Sequence, residues 1–204
     1  MSSDFAALDV SRETLDRLNV YADLLVKWNK KINLVSRLSL KDMWSRHIAD
    51  SAQLFEHRPS VVTSWVDIGS GGGFPGLVVA IRAFEEHPQM KVTLIESDTR
   101  KCAFLRTVIR ETGIEATVIA DRIDNVTDQR FDVLSARALA SLDVLCGYAE
   151  TLLNRTGMAL FLKGETWDTE MDLAKRRFDF DCESFPSNTQ DNGVILKLRN
   201  IRHV

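Results

Sequence analysis

Apolar residues along the first sixty positions recur at helical spacing and then give way to short apolar runs that alternate with helical stretches. Leu15, Leu18, Tyr21, Ala22, Leu25 and Trp28 share one face of a 3.6-residue period, which predicts a helix over 11–31. Ser11 stands at its start, but Thr14 three residues on leaves the capping box incomplete. Met43, Trp44, Ile48, Ala52 and Phe55 form a second stripe, predicting a helix over 39–57 that Pro59 stops. Beyond residue 64 the pattern predicts strands at 64–68, 91–96, 115–120, 131–135 and 157–162. Between them it predicts helices at 75–86, 100–112 and 142–153, with Gly113 as a C-cap. Such alternation means βαβ units and a parallel sheet covered on both faces. The runs 178–185 and 194–201 flank Pro-Ser-Asn-Thr-Gln-Asp-Asn-Gly and predict an antiparallel hairpin closing the sheet.

Composition bounds this α/β reading. With 204 residues, 45% hydrophobic and 27% charged, the chain fits one domain, a helical extension over 1–60 and an α/β core over 61–204. No apolar run reaches the ~20 residues of a membrane span. Met1 to Phe5 lack the basic and apolar regions of a secretory signal. Cys102, Cys146 and Cys182 are odd in number and widely spaced, so reduced thiols, a cytoplasmic location and no metal are expected. The net charge is −3, yet residues 27–58 carry +4 and the remainder −7. A local basic face on an acidic protein can supply phosphate contacts, or be a solvated helix face.

The chemistry concentrates after the 64–68 strand. Asp67 precedes the turn Gly69-Ser70-Gly71-Gly72-Gly73, and Phe74 and Pro75 lead into a helix. Glycines admit a ligand to the backbone, and a helix N-terminus offers it free N–H groups. A dinucleotide fingerprint requires a glycine where Phe74 stands. The turn instead resembles the first motif of S-adenosylmethionine (SAM) methyltransferases; the other reading is a structural turn without a ligand. Three further features fall at strand ends, where such sheets bind ligands. Glu96 offers a carboxylate to two ribose hydroxyls. Ile123 and Asp124 offer an adenine an apolar wall and an acceptor. Arg137 offers a guanidinium to a cofactor carboxylate, a nearby acid or a substrate phosphate.

Six segments occur in order: Trp28-Asn29-Lys30-Lys31-Ile32-Asn33-Leu34, Arg46-His47-Ile48-Ala49-Asp50-Ser51, Asp67 through Gly76, Arg100 through Arg106, Ser135 through Ala138, and Leu162-Lys163-Gly164. Together they resemble the bacterial small-subunit rRNA guanine-N7 methyltransferase G family across nearly the whole chain. The resemblance implies a seven-stranded Rossmann-like SAM methyltransferase fold and SAM-dependent methylation of a guanine N7 in the 530 loop of 16S rRNA. It places cofactor contacts on Gly69, Phe74, Ile123, Asp124 and Arg137. Two departures stand out: Glu96-Ser97 where Asp-Ser is expected, and Ile123-Asp124 where Ala-Glu is common.

Guanine N7 has a free lone pair, so the enzyme needs no base, and no catalytic residue is expected beyond Arg137. No Pro precedes a Cys, as cytosine C5 chemistry would want, and no Pro-Pro motif serves exocyclic amines. Lys30, Lys31, Arg46, His47 and Lys163 are the expected RNA contacts. The partner is 16S rRNA, the small subunit or an assembly intermediate, and the chain is expected to be monomeric. A small-molecule SAM methyltransferase and a non-catalytic SAM-binding regulator are the alternatives; neither needs a basic 27–58 segment.

Overall fold

The structure is a computed structural model that describes residues 8–204; the leader reading of Met1 to Phe5 and the first seven residues of the 1–60 extension lie outside it. The first helix, α1 (Arg12–Asn29), is capped by Ser11, whose Oγ accepts from the Thr14 N–H at 3.0 Å. It buries Leu18, Tyr21, Ala22 and Leu25, the stripe its spacing predicted.

The second stripe is buried, but not on one α-helix. Ser36 Oγ accepts from the Ser39 N–H, and Ser39 Oγ donates to the Ser36 carbonyl at 2.9 Å. These local bonds compete with helix and hold a turn where the helix was expected to begin. A π-helical segment, Trp44–Ala49, follows, and only α2 (Asp50–Glu56) is α-helical. The wider turn shifts the phase of the stripe, so Asp50 and Ser51 face inward beside Ala52 and Leu54.

Seven strands follow: β1 (Ser64–Ile68), β2 (Lys91–Ile95), β3 (Thr117–Ile119), β4 (Phe131–Arg137), β5 (Leu153–Lys163), β6 (Phe178–Pro186) and β7 (Val194–His203). Their order is β3-β2-β1-β4-β5-β7-β6. The first five run parallel, and β7 is antiparallel to both β5 and β6. The helices between them are α3 (Gly76–Glu86), α4 (Thr99–Thr112), α5 (Leu142–Leu152) and α6 (Trp167–Ala174). The last has no counterpart in the predicted elements. At eight residues, with only Met171 and Ala174 buried, it carries too few periods to register as amphipathic. Strand β5 starts at Leu153, earlier than expected, because the sheet pairs Leu153 with Phe131 before a register shift.

Each face of the sheet carries its own core. Trp65 joins Leu77, Phe104 and Val133 on one side, while Val66 and Ile68 join Leu134, Leu142 and Phe161 on the other. This is the two-residue alternation of a strand buried on both faces. Leu18, Tyr21, Leu25, Ile48 and Phe55 belong to the first cluster, so the N-terminal helices pack into the core of the sheet. Strand β1 lies between β2 and β4, and the crevice at this topological switch opens beyond their carboxyl ends.

Candidate active site

The turn after β1 takes left-handed backbone angles at Gly69 (φ +62°), Gly71 (φ +53°) and Gly73 (φ +92°), which an L side chain rarely adopts. Its underside is braced. Ser70 Oγ donates to the Asp67 carbonyl at 3.0 Å, and Tyr21 Oη of α1 donates to the Gly72 carbonyl at 2.5 Å. Asp67 is fully buried and accepts from Ser135 Oγ at 2.7 Å. Burial raises its pKa to about 6, against the Ser135 hydrogen bond that lowers it. Asp67 therefore lies beneath the turn and does not line the cavity that opens above it. Gly73 and Phe74 are placed likewise. A Cβ on Gly73 would come within 2.8 Å of Tyr21 Oη. The Phe74 ring is buried against Tyr21 and His47, at centroid distances of 5.1 and 4.9 Å.

Five of the remaining expected cofactor residues come together. A cavity of 330 Å³ is lined by Gly69, Gly71, Glu96, Ile123 and Asp124, with Ala138 and Leu139, while Arg137 lines the neighbouring cavity. At its rim Glu96 Oε2 accepts from the Gly71 N–H and Oε1 from the Asp98 N–H, both at 2.8 Å. Asp98 in turn caps α4, and its hydrogen bonds from Arg100 hold its carboxyl at about 2. Ile123 opens a single 3-10 turn, Ile123–Asn125, and Asp124 stands 3.4 Å from the Arg122 guanidinium. A Cβ on Gly71 would meet only the Gly69 carbonyl, at 3.7 Å, so the backbone is bare toward the cavity. A glycine floor, a carboxylate and an isoleucine wall suit an adenosine moiety.

A second cavity, of 470 Å³, adjoins the first through Ala138, which both share. Arg46, His47, Asp50, Arg137, Lys163 and Ser187 line it. Arg137 ends β4 with its guanidinium 4.9 Å above the Phe74 ring. Its Nη1 donates to the Arg46 carbonyl at 3.1 Å and lies 3.7 Å from Asp50 Oδ2, so the nearby-acid partner is realised. Burial works against the charge on Arg137, and Asp50 works for it. Lys163, at the end of β5, is 2.6 Å from Glu170 and donates to the Ala140 carbonyl. His47 stacks on Phe74, and burial with Arg137 and Arg46 nearby lowers its pKa to about 4, so it is neutral near pH 7. Both of its ring nitrogens are buried without a hydrogen-bond partner.

Lys30 and Lys31 do not line either cavity. They are exposed where α1 ends, on a turn folded by Asn29, whose Oδ1 accepts from the Leu34 and Val35 N–H groups at 2.9 and 3.0 Å. Sequence reasoning missed Asp50 and Glu170 as partners of the two cleft cations. Asp50 was visible within the Arg46 to Ser51 segment; Glu170 sits on the helix that went unpredicted.

A family model for rRNA small subunit methyltransferase G matches residues 14–193. Ribosomal RNA small subunit methyltransferase G of a Ruegeria species is 52% identical over 197 residues, 97% of this chain and 96% of the relative. The protein of the same name from Rhodospirillum centenum is 50% identical, over 98% and 91% of the two chains. Solved structures share the fold at low identity. A putative O-methyltransferase from Klebsiella pneumoniae superposes with a TM-score of 0.59 at 12% identity, over 96% of this chain and 93% of that one. The ribosomal protein L11 methylase of Lactobacillus delbrueckii subsp. bulgaricus gives 0.57 at 17%, over 72% and 75%. From a glycine turn that fits SAM to near full-length identity, the chain belongs to the rRNA small subunit methyltransferase G family of SAM-dependent methyltransferases.

Proposed function

We propose that this chain methylates N7 of a guanine in the 530 loop of 16S rRNA, acting in the cytoplasm on the RNA, the small subunit or an assembly intermediate. The observation that carries this reading is the junction at Ala138, where the cavity lined by the glycine turn, Glu96 and Ile123 meets one lined by Arg46, Arg137 and Lys163. When bound, SAM supplies an activated methyl group on a sulfonium centre. Glu96 accepts from the ribose hydroxyls, Ile123 packs on the adenine, Asp124 accepts from its amino group, and Arg137 offers charge to the cofactor carboxylate. Arg46 and Lys163 at the cavity, with Lys30 and Lys31 beyond it, contact RNA phosphates.

Guanine N7 carries a free lone pair near neutral pH, so the chain must align the base rather than deprotonate it. The side chains support this. None of the three cysteines lines either cavity. Cys102 is buried with its S–H on the Glu96 carbonyl at 3.1 Å, and burial pushes the Cys146 thiol up to about 12. Among the described residues no His/Cys/Asp/Glu group is arranged to hold a metal, and no helix is long and apolar enough to cross a membrane. A small-molecule methyltransferase leaves the basic rim without a purpose.

Incubation of the chain with tritiated SAM and rRNA, small subunits or whole ribosomes tests the proposal. Borohydride–aniline treatment should then cleave the RNA at the labelled guanine, because N7 methylation leaves a fixed positive charge that labilises the glycosidic bond. Cys102→Ala, Cys146→Ala and Cys182→Ala should retain turnover. Label on cytosine C5 or adenine N6, or none on RNA, overturns the proposal.

A further inference from the structure

Segments far apart in the chain meet at one carboxylate of the second cavity. Asp50, the first residue of α2, is 1% exposed. Its Oδ1 accepts from Thr189 Oγ1 at 2.8 Å, Ser187 Oγ at 3.1 Å and Gln53 Nε2 at 3.2 Å. Its Oδ2 faces Arg137 Nη1 at 3.7 Å. Gln53 holds the same connection between β6 and β7, its Oε1 accepting from the Asn188 N–H at 2.7 Å. Ser187, Gln190 and Gly193 of that connection line the cavity. A buried carboxylate is costly unless it is satisfied; here neutral donors satisfy Oδ1, while Oδ2 accepts no hydrogen bond and meets only the Arg137 charge.

That division has a functional reading. The β6–β7 connection has no strand or helix of its own; the Ser187 N–H closes it on the Gly193 carbonyl at 2.8 Å, and bonds to Asp50 and Gln53 anchor it to α2. Arg137 stands one residue before Ala138, where the two cavities join, and Asp50 is the acid paired with it. We propose that Asp50 is a positioning residue with two separable tasks. The carboxylate charge at Oδ2 fixes Arg137 at the cofactor end, and the hydrogen bonds at Oδ1 hold residues 187–193 as the outer wall of the RNA cavity. The second task rests on the proposed rRNA substrate; the first needs only the cofactor.

Two variants separate the tasks. Asp50→Asn keeps an oxygen for the loop hydroxyls and removes the charge facing Arg137. Ser187→Ala with Thr189→Ala removes the loop hydroxyls and leaves that charge. Isothermal calorimetry with SAM, Michaelis constants for 16S rRNA and thermal midpoints are the readouts. D50N should weaken SAM binding about tenfold, and D50N/R137Q should bind no worse than R137Q alone, the non-additivity expected of one interacting pair. S187A/T189A should raise KM for RNA about fivefold with SAM affinity unchanged, the pattern of a lost contact on the substrate side alone. Should D50N fail to fold, D50N/R137Q, which removes both charges together, still gives the comparison with R137Q. Additive losses, or R137Q with wild-type SAM affinity, overturn the first task. SAM affinity falling in step with RNA binding in S187A/T189A, or an unchanged KM there, overturns the second. A wild-type chain that binds SAM but labels no RNA fails the rRNA reading and leaves the calorimetric test of the first task intact.

Discussion

The backbone N–H of Gly71 donates to Glu96 Oε2 at 2.8 Å, tying the tip of the glycine turn to the residue that follows β2. One carboxylate thus shapes the floor of the cavity and, in the proposed reading, offers acceptors to a ribose. Removing it in Glu96→Ala should cost SAM about 1.5–3 kcal/mol, or ten- to a hundredfold in affinity, because the part-buried Gly71 and Asp98 N–H groups lose their acceptor along with the ribose contacts. Glu96→Gln should fall between, since one of its two terminal atoms no longer accepts. Calorimetry with S-adenosylhomocysteine checks both; unchanged affinity in Glu96→Ala removes Glu96 from the site.

Lys30 and Lys31 are exposed on the turn that leads to Leu34 and Val35, which line the same cavity as Arg46. Neutralising all three should weaken RNA binding while SAM affinity stays at its wild-type value. If each contacts a phosphate, the slope of log affinity against log salt should flatten by roughly two to three units. Filter binding across a salt series measures the slope, and a slope equal to wild type makes these cations a solvated surface.

His47 ties stability to pH. Its folded pKa is lowered from 6.5 to about 4, chiefly by burial. The unfolded chain therefore takes up this proton first, and the stability His47 allows is present above pH 6.5 and lost as pH falls toward 4. His47→Gln should flatten that limb of the thermal midpoint profile. Asp67, raised to about 6, works in the opposite direction, its contribution fading as pH rises from 4 through 6. A His47→Gln profile parallel to wild type between pH 7 and 4 contradicts the burial of a neutral ring.

Two glycines of one segment should fail in different ways. A Cβ on Gly76 would collide with Leu94 and sit 2.6 Å from Asp67 Cβ, where α3 closes on β1. Gly76→Ala should therefore lower stability by about 1–3 kcal/mol, the usual cost of overpacking. Gly71→Ala meets only open space on the cavity side, so its cost is the left-handed angle, about 1–2 kcal/mol, together with lost SAM binding. Denaturant titration paired with calorimetry separates the two, and equal SAM affinity in Gly71→Ala and wild type takes the turn out of the cofactor site.

The parts of the fold legible in the sequence are those fixed by local pattern. Leu18, Tyr21 and Leu25 announce their helix by period, and Trp65, Val66 and Ile68 their strand by an apolar run broken only at Asp67. The crevice residues Gly69, Gly71, Glu96, Ile123 and Asp124 were legible because each follows a strand that one sheet brings together. What spacing cannot encode is depth. Asp67 and Phe74 sit within the same motif as Gly71, yet they face the core because Ser135 and Tyr21, far away in sequence, complete their surroundings. The expected 39–57 helix broke for a similar reason, since two serine hydroxyls satisfy the backbone locally before tertiary packing sets the phase. Asp50 has partners on the hairpin connection, whose approach to α2 no spacing encodes, and Lys163 has one on α6, whose pattern is too short to register.

The buried hydroxyl of Ser135 carries a consequence for how the sheet assembles. The Trp65 indole donates to Ser135 Oγ at 2.9 Å, and that hydroxyl donates onward to Asp67, a polar relay inside an apolar layer. In the native ladder Asp67 lies opposite Ser135, and Val66 opposite Leu134. Sliding β1 by a single residue would set the carboxylate against Leu134 or Ala136 and strand the indole proton, while the neighbouring leucines and valines could trade places at little loss. The relay thus acts as a key for strand alignment, rejecting near-miss pairings that hydrophobic contact alone would tolerate.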